Sequence, residues 1–412
     1  MQEKVVITGM GTVNPLGLSV RESWENAVNG VSGVGPITLF DPKNMLVKIA
    51  CEVKNFQPEV YMHAREARRR DRFEQLAAAA AKEAIEQAGL EVAESESGRV
   101  GVIVSSAIGG LDSLQSAVLT VDHEGPRRVS PFAIPMLMSN GAAGLIAIDY
   151  HFQGPSFSVA SACASGADGI GVAWTMLRSG VIDVAITGGS ESTITPIGIS
   201  CFDRLGAMSR REGDHPMVPQ PFDLNRDGLV MGEGAAILVL EGESRARARG
   251  AEIFAELAGY AATTDAFHVT APSEDGEGGA KAMRLALDIA KMNPADLDYI
   301  NAHGTATVLN DLSETRAIKS AFGDQAYRIP VSSTKSMTGH MMGTTGALEA
   351  IFCVQAVRDG VLPPTINYQT PDPQCDLDYV PNQARRKPVR AALSNSFGFG
   401  GHNAVLLIKE YN

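Results

Sequence analysis

Apolar residues fall along this chain in two rhythms, short continuous or alternating runs and longer one-sided runs of helical spacing. Residues 5–8 and 100–105 read as buried strands, and the alanine-rich run 71–88, closed by Gly89, reads as a helix. A short alternating stretch from Ser156 ends in small residues around Cys163; Ile170, Trp174 and Leu177 then keep helical spacing up to Gly180. Strands at 183–187 and 235–240 flank a loop from about Gly206 to Asp227. Strands alternating with helices in this way predict an α/β protein with buried sheets.

The second part of the chain repeats the first. A helix at 279–291 followed by an apolar run at 297–303 echoes the alanine-rich helix followed by 99–105. Residues 331–334 lead into a small-residue turn and a helix ending Val357-Arg358-Asp359-Gly360-Val361, which echoes Leu177-Arg178-Ser179-Gly180-Val181. The run 398–407 echoes 231–240. Three echoes in one order point to an internal duplication, with halves of about 1–250 and 251–412 whose equivalent turns converge on one central site.

Composition narrows the class. With 412 residues, 44% hydrophobic and 20% charged, the chain is an ordinary globular sequence long enough for two cores. Its start lacks the basic-then-apolar layout of a signal peptide, and no apolar run reaches membrane-spanning length, so a cytoplasmic protein is expected. The five cysteines show neither CxxC nor zinc-type spacing, which suggests no disulfide framework and no metal cluster. A net charge of −12 argues against general nucleic-acid binding. Against that background Arg65, Arg68, Arg69, Arg70 and Arg72 crowd one segment and Arg127-Arg128 another. Such runs are either solvated faces or patches that steer an acidic partner.

The candidate chemistry lies at the turns. Cys163, in ACASG, stands where a strand passes into a helix. A thiol at a helix N-terminus is expected to have a lowered pKa, although buried structural cysteines are also common. The second half places His303 in NAHGTAT at the end of a strand, Lys335 and His340 in STKSMTGH before a helix carrying Glu349, and the glycine-rich NSFGFGG with Phe399 at 395–401. One thiol, two imidazoles, a lysine and a loop of free N–H groups suit carbon–carbon bond formation on thioesters. The thiolate holds an acyl group, the histidines stabilise charge as a second thioester decarboxylates, and backbone N–H groups hold the oxyanion.

These four ordered motifs resemble those of the β-ketoacyl-[acyl-carrier-protein] synthases among the thiolase-fold condensing enzymes, most of all the synthase II type of bacterial fatty-acid synthesis, over essentially the whole chain. The resemblance implies a layered α/β/α/β/α body of two pseudo-symmetric halves, each with a mixed five-stranded sheet, assembled as a homodimer. It implies Cys163 as the acylated nucleophile, with its own N–H and that of Phe399 as oxyanion hole. His303 and His340 would bind the malonyl thioester, Lys335 and Glu349 would support them, and Phe399 would gate the pocket. Thr270, Thr305 and Thr307 match positions that contact the pantetheine arm, and Ile108, Gly198 and Phe202 the lining of an acyl tunnel. Arg65, Arg68, Arg69, Arg127 and Arg128 would dock acidic acyl carrier protein, acyl- or malonyl-loaded. The implied reaction is decarboxylative condensation of the acyl-enzyme with malonyl-carrier protein, lengthening a fatty acid by two carbons. No redox cofactor, catalytic metal, nucleic acid or membrane is implied. Val308 and His402 depart from residues frequent in the family, and the segment 134–144 is less typical.

Rival readings fare worse. In the opening run 6–17, Pro15 and the glycine spacing do not fit a dinucleotide loop, and none of the eight tyrosines is followed by lysine at i+4. Neither His303 nor His340 has a carboxylate or thiol at metal-ligand spacing. A catalytically silent chain-length partner would lack Cys163. The alternative kept is an active ketosynthase subunit of an aromatic polyketide synthase that needs such a partner.

Overall fold

In the computed structural model, which describes residues 3–211 and 217–411, ten strands form one mixed sheet. Part of the loop expected at 206–227 therefore lies outside the described residues. The strands are β1 (Val5–Val13), β2 (Val100–Ser105), β3 (Ser156–Phe157), β4 (Val184–Glu191), β5 (Gly234–Gly242), β6 (Ala255–Thr264), β7 (Tyr299–Asn301), β8 (Val331–Ser332), β9 (Ala391–Gly398) and β10 (His402–Lys409). The helices that matter below are α1 (Arg72–Ala88), α2 (Leu111–Glu124), α3 (Ser165–Arg178), α4 (Pro196–Arg204), α5 (Glu277–Ala290), α6 (Val308–Phe322) and α7 (Thr345–Asp359).

The strand order is β3-β2-β4-β5-β1-β6-β10-β9-β7-β8. Its two halves mirror each other in order and direction. β3, β2 and β4 run parallel, as do β8, β7 and β9, while the inner pairings β4/β5/β1 and β9/β10/β6 are antiparallel. Each half thus supplies five strands, and the two are joined, because Val5–Ile7 of β1 pair antiparallel with Ala255–Leu257 of β6.

Helices α3 and α7 form the layer between the halves, and one apolar core there mixes Ile170, Trp174 and Leu177 with Leu348, Ile351 and Phe352. On the outer face of the first half lies α1, started by a capping box of Asp71 and Glu74 and stopped at Gly89. Its alanines let it lie directly on β1: a side chain at Gly11 would meet the carbonyl of Ala80. α5 and α6 cover the second half in the same way. The stretch from Ser156 is a strand for only two residues, since the chain must then turn to present Cys163 at the start of α3.

Candidate active site

Cys163 follows Ala162, whose φ of 52° lies in the left-handed region. That conformation is disfavoured for any residue with a Cβ, and it is held by the Ser165 hydroxyl, which donates to the Ala162 carbonyl at 2.6 Å. The glycine-rich turn after β9 packs on this bend. A Cβ at Gly398 would stand 2.7 Å from the Ser161 carbonyl oxygen and 3.1 Å from the Cys163 nitrogen, so only glycine allows the approach. The approach brings the Phe399 N–H onto the sulfur, and Cys163's own N–H acts in the same sense.

The lowered thiol pKa expected from the helix terminus is not found. Burial pushes Cys163 up to about 11, outweighing the opposite pull of Lys335 and of the two N–H groups. At 7% exposure, desolvation of the thiolate exceeds what partial charges return. The sulfur rests as a thiol.

Three residues of the second half face it from the ends of β7 and β8. His303 and His340 meet edge to face with ring centroids 5.4 Å apart, and both line the cavity that holds Cys163. Burial, with the nearby positive charge of Lys335, holds both imidazoles well below their usual range, so both are neutral hydrogen-bond donors at pH 7. His340 Nδ1 lies 3.1 Å from the Thr345 hydroxyl, while His303 Nδ1 makes no hydrogen bond among the described residues. Lys335 does not line the cavity. Its ammonium donates to Glu349 Oε1 at 2.6 Å, and both side chains are 1% exposed. Burial raises the Glu349 carboxyl and Lys335 draws it back.

The cavity, about 320 Å³, runs from Cys163 past Thr305 and Thr307 to Thr270. The hydroxyls of Thr305 and Thr307 are 2.9 Å apart. Phe399 stacks on Phe202 of α4 with centroids 6.3 Å apart, so the loop that carries an N–H donor also closes one wall. Of the three residues expected to line an acyl tunnel, only Phe202 lines this cavity. Ile108 is 40% exposed, and Gly198 is buried in the first turn of α4 beside Thr193 and Leu111. Among the described residues no group of three or more His, Cys, Asp or Glu side chains is placed to hold a metal ion.

Family models for "Beta-ketoacyl synthase, N-terminal domain" and "Beta-ketoacyl synthase, C-terminal domain" match residues 2–246 and 254–369. The chain belongs to the β-ketoacyl synthase family. As a member it is a condensing enzyme of the acyltransferase type, with the thiolase-like ketosynthase fold. It is 48% identical over 409 residues to the 3-oxoacyl-[acyl-carrier-protein] synthase 2 of Staphylococcus aureus, spanning 99% of each chain. To the protein of the same name from Synechocystis sp. it is 45% identical over 410 residues, 100% of this chain and 99% of that one. Among solved structures, a β-ketoacyl synthase from Burkholderia phymatum aligns with a TM-score of 0.93 at 33% identity, and the ishigamide ketosynthase/chain length factor with 0.93 at 36%, each over the whole of both chains.

Two groups in this synthase escaped the sequence reading. Glu314 of α6 is fully buried and accepts the N–H groups of His303 at 2.8 Å and Gly304 at 2.7 Å and the Asn395 amide at 3.1 Å, which ties the histidine to β9. A signal existed: Asp311 and Glu314 fall with Thr315, Ile318 and Phe322 on one helical face, and carboxylates on a buried face mark internal hydrogen bonding. Asp265 accepts the Asn403 amide at 2.7 Å and so joins the Thr270 loop to the start of β10, a pairing with no local signature.

The arginine segments divide. Arg70 is buried against Asp149 and Arg72 is paired with Glu233. Arg65, Arg68, Arg127 and Arg128 are exposed, Arg128 beside Glu124 at 3.3 Å. Arg69 lies over the ring of Phe132, four residues past Arg128, at 4.5 Å.

Proposed function

We propose that this synthase elongates acyl chains in fatty-acid synthesis, with Cys163 as the acylated residue. The observation that carries the assignment of roles is the convergence of Cys163, His303, His340 and the Phe399 N–H on one cavity. In the first half-reaction the Cys163 sulfur attacks the acyl thioester of a carrier protein. The N–H groups of Cys163 and Phe399 hold the oxyanion, and the departing pantetheine sulfur takes the proton that Cys163 gives up. In the second, malonyl-carrier protein enters with its arm beside Thr270, Thr305 and Thr307. Neutral His303 and His340 donate to its thioester oxygen, which stabilises the enolate left as carbon dioxide departs. The enolate carbon then attacks the acyl group, the Cys163 sulfur leaves as a thiolate as 3-oxoacyl-carrier protein forms, and it regains its proton from solvent. Burial and the Lys335 charge keep the histidines neutral, and Glu349 holds the Lys335 ammonium in place. Decarboxylation makes a strong base unnecessary.

The carrier protein docks, on this reading, at Arg65, Arg68, Arg69, Arg127 and Arg128. One of the similar solved structures is described as a type II PKS acyl-carrier protein in complex with its ketosynthase, and this chain aligns to it with a TM-score of 0.92 at 35% identity. A second copy of the chain covers α2, where Leu114, Val118 and Leu119 are 43%, 59% and 52% exposed, with Ile134 on the neighbouring short helix. We retain Ile108 and Gly198 as tunnel residues that α2 and this second copy would enclose. The halves divide at about 250, between β5 and β6. A cytoplasmic site accords with five free cysteines and with the finding that no described helix is long and apolar enough to cross a membrane. The polyketide alternative is weaker, because identity to a 3-oxoacyl-[acyl-carrier-protein] synthase 2, 48%, exceeds that to the ketosynthase of the type II PKS complex, 35%.

The test is intact mass after mixing with long-chain acyl-carrier protein, parent beside Cys163→Ala, followed by malonyl-carrier protein and product analysis. An adduct on the parent alone, chased to a 3-oxoacyl product two carbons longer, is expected. A folded parent that forms no adduct until a chain-length partner is added refutes the fatty-acid reading.

A further inference from the structure

Asp168 has no part in the chemistry above and does not line the cavity, yet it is bound to the nucleophile's turn. It stands in the first turn of α3 and is 9% exposed. One carboxylate oxygen accepts the hydroxyl of Ser161, two residues before Cys163, and the other accepts the Tyr260 hydroxyl at 2.8 Å. Ser161 is fixed at two more points: its N–H donates to the Ser165 hydroxyl at 2.9 Å, and its carbonyl accepts the Ala164 N–H at 3.1 Å. Tyr260 comes from β6, in the other half. Its ring lies flat on α3 at Gly171, where a Cβ would stand 2.3 Å from the ring carbons. Further along, the Trp174 indole donates to the Leu257 carbonyl at 2.8 Å, so β6 and α3 are joined at both ends of their contact. β6 then runs into the loop that carries Thr270.

We infer that Asp168 is a positioning residue that clamps the nucleophile turn to the second half through Ser161 and Tyr260. A left-handed alanine persists only where its surroundings over-determine it, and Asp168 supplies a buried side-chain tie from this turn to the other half, beside the backbone packing of Gly398 and Phe399. Without it the turn relaxes, and Cys163 shifts relative to the Phe399 N–H that must meet the oxyanion. A displacement of that kind slows the covalent step and leaves donor binding unchanged. Decarboxylation depends on His303, His340 and Lys335, which Asp168 does not touch.

This inference rests on Cys163 being the acylated residue. The experiment measures, on the full-length protein, single-turnover acylation by intact mass across acyl-carrier-protein concentrations, and decarboxylation of malonyl-carrier protein separately. Asp168→Ala is expected to lower the maximal acylation rate on the order of 10-fold with half-saturation kept within about twofold, and to spare decarboxylation. Asp168→Asn, which accepts one hydroxyl and donates to the other, restores most of the rate. Should Asp168→Ala fail to fold, Ser161→Ala removes only the hydroxyl and is expected to reproduce the loss. Parent-like acylation in the variant that folds, or equal loss of both half-reactions, overturns the clamp. An adduct that persists in Cys163→Ala would instead overturn the nucleophile assignment, so the two failures are told apart.

Discussion

Replacing Lys335 by methionine removes one buried positive charge on which five groups depend. The ammonium is 2.6 Å from Glu349, with both side chains 1% exposed, and its charge lowers the pKa of Cys163, His303, His340, Glu314 and Glu349. Breaking one side of such a pair costs about 3 to 5 kcal/mol, because a carboxylate is left in an apolar interior. Glu349 escapes part of that cost by taking a proton. Its folded pKa, already raised to about 8 in the parent with Lys335 drawing it down, then rises further. Below about pH 8 both proteins therefore lose stability in parallel as pH rises, and above it the variant goes on losing stability where the parent levels off, by up to about 1.4 kcal/mol per pH unit relative to the parent. Urea melts at about pH 7, 8 and 9 read both effects. Lys335→Met/Glu349→Leu, with neither charge, is expected to regain most of the stability and none of the activity. In the single variant His303 and His340 move back toward 6.5, so the acid limb of malonyl decarboxylation shifts to higher pH. A single variant within about 1 kcal/mol of the parent, with a pH dependence that stays parallel above pH 8, would refute the reasoning.

The buried histidines make a separate statement about acid stability. Both fold with pKa values well below 6.5, so unfolding takes up protons once pH drops through 6.5: stability is full above that value and declines below it. The slope is at most about 2.7 kcal/mol per pH unit for the two, read against His303→Gln/His340→Gln; coincident slopes would sink it. Reversing charge at Arg68 and Arg69 is expected to raise half-saturation for acyl-carrier protein several-fold at low salt, to lose that effect near 0.5 M salt, and to spare small thioesters. Equal loss with both substrates would disprove docking there. Phe202→Ala removes the ring on which Phe399 stacks. Alkylation of Cys163 by iodoacetamide should then speed up several-fold, and an unchanged rate would show that the Phe399 loop does not guard the sulfur.

Much of the candidate site was legible because the residues that meet at the cavity sit in short contiguous motifs. ACASG, NAHGTAT, STKSMTGH and NSFGFGG each hold their key residue at a strand end or turn, and a local bend is written in local residues. The duplication was legible for a similar reason: equivalent helices and strands bury equivalent faces, so the apolar rhythm recurs, and β1 to β5 correspond to β6 to β10 in order and direction.

What only the tertiary structure decided depends on burial and on long-range contact. The sign of the Cys163 shift came out opposite to the helix-terminus argument, because desolvation is set by everything packed around the sulfur. Arg70 and Arg72 left the arginine patch because Asp149 and Glu233, distant in sequence, neutralise them. Glu314 and Asp168 act through partners on other elements, and Ile108 and Gly198 lie apart from the cavity that Phe202 lines. The residue types and their turns are properties of the chain read in order; which charges are buried, and against what, is settled only when the two halves close on each other.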